Sequence, residues 1–167
     1  MTSERPWAVG VAQRRLRRTF PHRRVVRDVQ GIRLVLPWEN KLPDYAEKFP
    51  LYGQNLVELA RRLGSGADPI GVVDIGANVG DSALQILAVT DARILCVEAD
   101  DYWLKYLHHN VDHEPRIVIA PVLISIEDVS VTHTPVRLGG TTRFETSAAG
   151  NSTGPRVLSP QDRKSVV

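Results

Sequence analysis

A single cysteine, Cys96, stands among 167 residues. No disulfide can therefore form within the chain, and a reducing compartment is the setting that fits. Its neighbours in "RILCVEA" are apolar, which marks the thiol as a small buried hydrophobe. Nowhere does an apolar run approach the roughly 18 to 20 residues of a membrane span, and no apolar signal core follows the N-terminal arginines. A soluble, cytoplasmic protein is expected. Net charge is scarce too: +2 over the whole chain leaves room only for a local basic patch, near the N-terminus.

What is present describes a folded chain. Hydrophobic residues at 43% and charged residues at 24% are globular values despite 11 prolines and 12 glycines, and the length suits one domain with one core. The stretch "AQRRLRRTFPHRRVVR" is basic without a sustained apolar face, and Pro21 interrupts it. Only Phe20 interleaves with these arginines, and phosphate contacts alone would be non-specific. A solvated lead-in or partner contact is therefore preferred to a nucleic-acid site. "VVRDVQGIRLVLP" predicts a hairpin around Gly31, followed by a connection through "WENKLPDYAEKFP". Leu51, Leu56, Leu59, Ala60 and Leu63 then fall near helical spacing until "GSGADP" breaks it.

The middle of the chain reads strand, turn, helix, strand: "IGVVDI", "GANVG", "DSALQILAV", "RILCVEA". That alternation predicts a parallel sheet with right-handed crossovers, whose ligands collect beyond the carboxyl ends of the strands. Three ligands can be weighed for the turn. A phosphate-binding loop needs Gly-Lys followed by Ser or Thr, but Gly80 is followed by Asp81. A dinucleotide fingerprint beginning at Gly76 would place glycines where Asn78 and Asp81 stand. Asn78 can adopt the positive φ of such a bend. Asp81 is the real objection, since a carboxylate in the first helical turn neutralises the end that a pyrophosphate needs. A ligand with a sulfonium and an ammonium would instead gain from Asp74 and Asp81, and S-adenosylmethionine is such a ligand. Glu98 ends the second strand about 20 residues on, where an acid accepts hydrogen bonds from ribose hydroxyls. Glu98 thus indicates adenosine without choosing between NAD and S-adenosylmethionine.

Taken in order, "LYGQNLVELARRL", "VVDIGANVGDSAL", "ILCVEAD" and "YLHHN" resemble the FkbM-type methyltransferases over roughly residues 40 to 145, with DIGANxGD the specific part. The resemblance implies an α/β fold with a Rossmann-like class I methyltransferase sheet. It implies that Asp74, Gly76, Asn78, Gly80 and Asp81 line the methionine side of the cofactor, with Ala77 also among the cofactor-binding residues. Glu98 would hold the ribose, with Ala99 and Asp100 at the adenosine edge. It implies S-adenosylmethionine-dependent O-methylation of a hydroxyl on a sugar or secondary metabolite. A non-catalytic remnant or interaction module is the alternative, and an NAD-binding oxidoreductase stands third because of Asp81.

The expected organisation is a basic lead-in and cap over 1–50, the cofactor half of the sheet over 51–146, and a loop or disordered tail over 147–167. A third strand around "RIVIAPVLI" and a hairpin at "VTHTPVRLGGTTRFET" follow, but no second half of the doubly wound sheet. A shortened relative, or a second chain completing the edge, is expected. The free apolar edge beside the first strand predicts self-association or low stability.

Other candidates have plainer readings. His109 and His113 share a helical spacing, yet histidines favour a helix's negative end, and no metal is expected. Asn110 reads as a C-terminal cap. Trp38, Tyr45 and Tyr52 read as packing residues. Asn151-Ser152-Thr153 has the form of a glycosylation acceptor without a secretory context. Asp128 and His133 follow the third strand, but nothing in the spacing aims either at a methyl group.

Overall fold

Two strands around a two-residue turn open the described chain: β1 (Arg24–Val29) and β2 (Ile32–Pro37), antiparallel with Val29 opposite Ile32. The computed structural model describes residues 19–66, 68–125, 131–138, 140–148 and 154–159. Gln30 and Gly31 both have positive φ, 52° and 83°, as a tight hairpin turn matched to strand twist requires. The hairpin read around Gly31 is thus present.

The segment "WENKLPDYAEKFP", read as a connection, carries a short helix, α1 (Leu42–Lys48), with Pro43 in its first turn, where a missing N–H does no harm. Next, α2 (Gln54–Leu63) is the helix that the apolar spacing up to Leu63 predicts. Leu56, Leu59 and Leu63 lie largely in solvent, while Val57 and Ala60 are buried. The leucine spacing marks a helix, but the small side chains face the neighbouring layer.

The centre is a three-stranded parallel sheet in the order β3-β4-β5. It is built from β3 (Gly71–Ile75), α3 (Asp81–Leu87), β4 (Arg93–Val97), α4 (Asp101–Val111) and β5 (Ile117–Ala120). Asp74 pairs with Cys96 and Ile94 with Ile117. Ile94 and Cys96 point into a core shared with Ala83 and Ile86 of α3 and with Leu107 and Val111 of α4. On the opposite face Val73, Ile75 and Val118 are 60%, 66% and 63% exposed. One face of this mixed α/β, partial Rossmann-like arrangement is covered and the other is not. Cys96 is fully buried, and burial, with Asp74 nearby, pushes its thiol up to about 12, so it is an inert packing residue.

The expected third strand is split. Pro121 has no N–H to give a ladder, so β5 ends before it and β6 (Val122–Ile124) pairs elsewhere, parallel to β9 (Arg156–Leu158). The tail read as loop from 147 therefore contains a strand. The expected hairpin is present as β7 (Val131–Leu138) and β8 (Thr141–Ala148), running two residues past its expected end. Residues 160–167, the acceptor sequence at 151–153 and the lead-in before 19 lie outside the described residues. Among the described residues, no helix is long and apolar enough to cross a membrane.

Asn110 is not a cap. It is buried inside α4, accepts from the Val35 N–H at 2.8 Å, and donates to the carbonyls of Val35 and Val79 at 3.1 and 2.9 Å. It therefore ties the β1–β2 hairpin to the turn before α3. Asn110→Ala strands two carbonyls and one N–H at once and should lower stability by about 3 kcal/mol. Urea denaturation measures this; a loss near zero would mean that water replaces the amide.

Candidate functional site

The site is built where β3 and β4 end. Beyond Ile75 the chain reverses through Gly76, Asn78 and Gly80, with φ of 78°, 51° and 84°. Asn78 adopts the positive φ that was open to it, which its short polar side chain tolerates. The N–H groups of Gly76 and Ala77 both donate to the Val97 carbonyl, which pins the turn to the end of β4. The three small residues differ in surroundings. A Cβ on Gly76 would meet nothing within 4 Å, whereas one on Gly80 would lie 2.8 Å from Val111 and 2.9 Å from Leu107. Gly76 borders open space, and Gly80 is the point of closest approach to α4. Ala77 turns into the core.

Three carboxylates gather here. Glu98, buried at the end of β4, accepts from the N–H groups of Asn78 at 2.9 Å and Asp100 at 2.8 Å. A carboxylate has about four lone-pair sites, so Glu98 retains capacity to accept ribose hydroxyls. Asp81 opens α3, and burial pushes its carboxyl up despite the N–H groups of Asp81 and Ser82. Asp74 Oδ2 is buried without a hydrogen-bond partner. Burial first, and then the charges of Asp81 and Glu98, raise its carboxyl to about 6. An unpaired buried carboxylate beside two others favours a positive ligand and repels a pyrophosphate.

A cavity of about 220 Å³ opens over the turn, with Gly76, Asn78, Glu98 and Ala99 in its wall. Its opposite wall was not legible in the sequence. Thr141, Thr142 and Phe144 of β8 close it, and Asn78 Nδ2 donates to the Gly140 carbonyl at 3.0 Å. Asp100, expected at the adenosine edge, is engaged by the same hairpin. It accepts from Arg137 Nε and from the Thr142 hydroxyl, each at 2.6 Å, and from the Tyr102 N–H as the cap of α4. Burial pushes its carboxyl up, but Arg137, Thr142 and that N–H outweigh it and hold it below the usual range. Trp103 Nε1 completes the network with a bond to Thr142 at 2.9 Å. No local pattern signals contacts between residues so far apart in the chain.

The remaining described candidates are not among the residues that line this cavity. Tyr45 stacks with Phe49 and Tyr52 in an exposed cluster, and Trp38 sits under Arg23. His133 is buried in β7, with neither ring nitrogen bonded. Asp128 lies outside the described residues.

No protein-family model matches the chain, the FkbM type included, and no curated protein matches it. Solved structures do. The SAM-dependent methyltransferase from Agrobacterium tumefaciens is 12% identical and covers 59% of this chain with 32% of its own, at a TM-score of 0.45. P. horikoshii TYW2, crystallised in complex with MeSAdo, is 22% identical and covers 59% with 36% of its own, at 0.40. The human methyltransferase 10 domain containing protein is 19% identical and covers 72% with 53% of its own, at 0.42. This chain is similar to part of each, spanning between about a third and about half of their lengths.

Proposed function

We propose that this chain carries the cofactor-binding part of an S-adenosylmethionine-dependent O-methyltransferase of FkbM type, acting on a hydroxyl of a sugar or secondary metabolite. One observation carries the reading: the buried, unpartnered Asp74 Oδ2 beside Asp81 and Glu98, at a turn whose Gly76 leaves open space. Asp74 and Asp81 would face the ammonium and sulfonium, Gly76 and Asn78 would let the backbone approach, and Glu98 would accept from the ribose. Bound there, the cofactor supplies an electrophilic methyl group. The protein's contribution is to hold an acceptor oxygen in line with it, which accounts for much of the acceleration such reactions need.

One observation favours the second reading, a non-catalytic remnant of this fold. The cavity over the turn, about 220 Å³, is smaller than the roughly 300 to 1,000 Å³ of ligand pockets. Thr141, Thr142 and Phe144 of the β7–β8 hairpin narrow it.

Calorimetric titration with S-adenosylhomocysteine and, in parallel, NAD separates these readings and the oxidoreductase. We expect micromolar binding of S-adenosylhomocysteine, weakened at least tenfold in Asp74→Ala and Glu98→Ala, and no binding of NAD. Silence toward S-adenosylhomocysteine from a protein with a cooperative unfolding transition would leave the remnant. NAD binding would restore the oxidoreductase.

A further inference from the structure

The β7–β8 hairpin takes part in the walls of two cavities. The one over the glycine turn, about 220 Å³, is lined by its Thr141, Thr142 and Phe144. A larger one, of about 680 Å³, is lined by its Arg137 and Gly140, with Lys41, Tyr102 and Trp103 from the rest of the chain. Trp103 belongs to both walls, so the spaces adjoin and the hairpin parts them. Alone, the smaller space falls short of the roughly 300 to 1,000 Å³ of ligand pockets; joined, the two lie within that range.

What fastens the hairpin to the rest of the chain is polar. The Gly140 carbonyl accepts from Asn78 Nδ2 at 3.0 Å. Arg137 and Thr142 hold Asp100, which is 2% exposed, and Arg137 also lies 5.1 Å over the Tyr102 ring. Among the described residues, neither buried apolar cluster includes a residue of the hairpin. A segment held by hydrogen bonds and an ion pair rather than by a core belongs to the part of a fold that opens at low cost. Asp100 is the decisive partner. A carboxylate has about four lone-pair sites, and here all are taken, by the Tyr102 N–H, by two N–H groups of Arg137 and by the Thr142 hydroxyl. Glu98, by contrast, accepts only from the N–H groups of Asn78 and Asp100 and keeps room. Three of the four bonds to Asp100 come from the hairpin, so its carboxylate is free to serve a ligand only if the hairpin withdraws.

We propose that the β7–β8 hairpin is an autoinhibitory lid over the glycine turn, latched by Arg137 and Thr142 on Asp100, and that a cofactor enters by taking over Asp100 as the hairpin lifts. The inference rests on the reading of the turn as an S-adenosylmethionine site. A closed lid subtracts from affinity, because a ligand that binds only the open form has its apparent Kd raised by the inverse of the open fraction. Weakening the latch therefore tightens binding. A fixed wall that contacts the ligand would show the reverse.

The test is calorimetric titration of the full chain with S-adenosylhomocysteine, on wild type, Arg137→Ala and Thr142→Val. Thr142→Val keeps the side-chain shape and leaves the Arg137–Asp100 pair in place, so it should fold even where loss of Arg137 costs stability. Arg137→Ala should bind about tenfold more tightly than wild type, and Thr142→Val about threefold. Trp103 gives a second reading, since its Nε1 donates to the Thr142 hydroxyl at 2.9 Å. Its emission should move to the red when S-adenosylhomocysteine binds wild type, and Trp103→Phe should lack that change. Failure of Arg137→Ala to tighten binding, or of Thr142→Val should the first variant not fold, would overturn the lid and leave the cofactor site standing. Binding to wild type with no change in Trp103 emission would do the same. Silence toward S-adenosylhomocysteine from wild type and from folded latch variants alike would remove the cofactor site, and the lid with it. A silent wild type beside a binding Arg137→Ala would show the lid at its strongest.

Discussion

Gly80→Ala is expected to lower stability by about 3 kcal/mol, and Gly76→Ala, four residues away at nearly the same φ, by about 1 kcal/mol. Both positions hold a left-handed backbone, 84° and 78°, so both variants carry the strain of a Cβ there, about 1 to 2 kcal/mol. Only at Gly80 does the added methyl collide, 2.8 Å from Val111 and 2.9 Å from Leu107, two fully buried side chains of α4. A well-packed core resists that intrusion at a further 1 to 3 kcal/mol or so. Ligand binding should order the pair the other way. Gly76→Ala fills open space at the cavity mouth and should weaken S-adenosylhomocysteine more than it weakens the fold. Urea denaturation of the two variants side by side decides the matter. Equal losses would mean that α4 yields at Gly80 and that the turn's glycines are there for backbone conformation alone.

Asp74→Asn should make the ligand-free protein more stable at pH 8, by about 2 kcal/mol, and no more stable at pH 4. In the fold the Asp74 carboxyl is raised to about 6, chiefly by burial; in the unfolded chain it sits near 3.9. The folded state thus holds this proton more tightly. Its contribution to stability is complete below about pH 4 and is lost as pH rises through 6, at about 1.4 kcal/mol for each tenfold change in proton affinity. Above pH 7 the chain folds around an ionised, unpartnered oxygen, and an amide removes that burden. The same substitution should weaken S-adenosylhomocysteine at least tenfold at pH 8, because the charge that strains the empty fold is the one the ligand's ammonium would meet. Thermal unfolding from pH 4 to 8 on both proteins measures the first effect. A wild-type profile that Asp74→Asn leaves unchanged would mean that Asp74 is solvated and would remove the main support for a cationic ligand.

Legibility varied with the range of the interaction. Gly31, Gly76, Asn78 and Asp81 could be placed from sequence because their roles are set by backbone conformation and helix polarity within a few residues. The β3-turn-α3-β4 unit followed from the change of apolar period alone. The spacing of the leucines identified α2 as a helix, but which stripe is buried depends on what lies against it: Val57 and Ala60 are buried while Leu56, Leu59 and Leu63 are exposed. Asn110 was read as a local cap because its partners, Val35 and Val79, are 75 and 31 residues away. Pro121 could be seen, but the partner it sends β6 to find, β9, could not.

The sequence by itself determined the parallel strand-turn-helix-strand unit, its positive-φ bend and the acidic residues at its strand ends, since each is written in short-range spacing. Only the tertiary structure decided that the β7–β8 hairpin closes over that bend and engages Asp100 through Arg137 and Thr142. It alone decided that Lys41, Tyr102 and Trp103 meet around a larger cavity. Those contacts join segments tens of residues apart, and which distant groups meet is settled by packing and charge pairing across the whole chain.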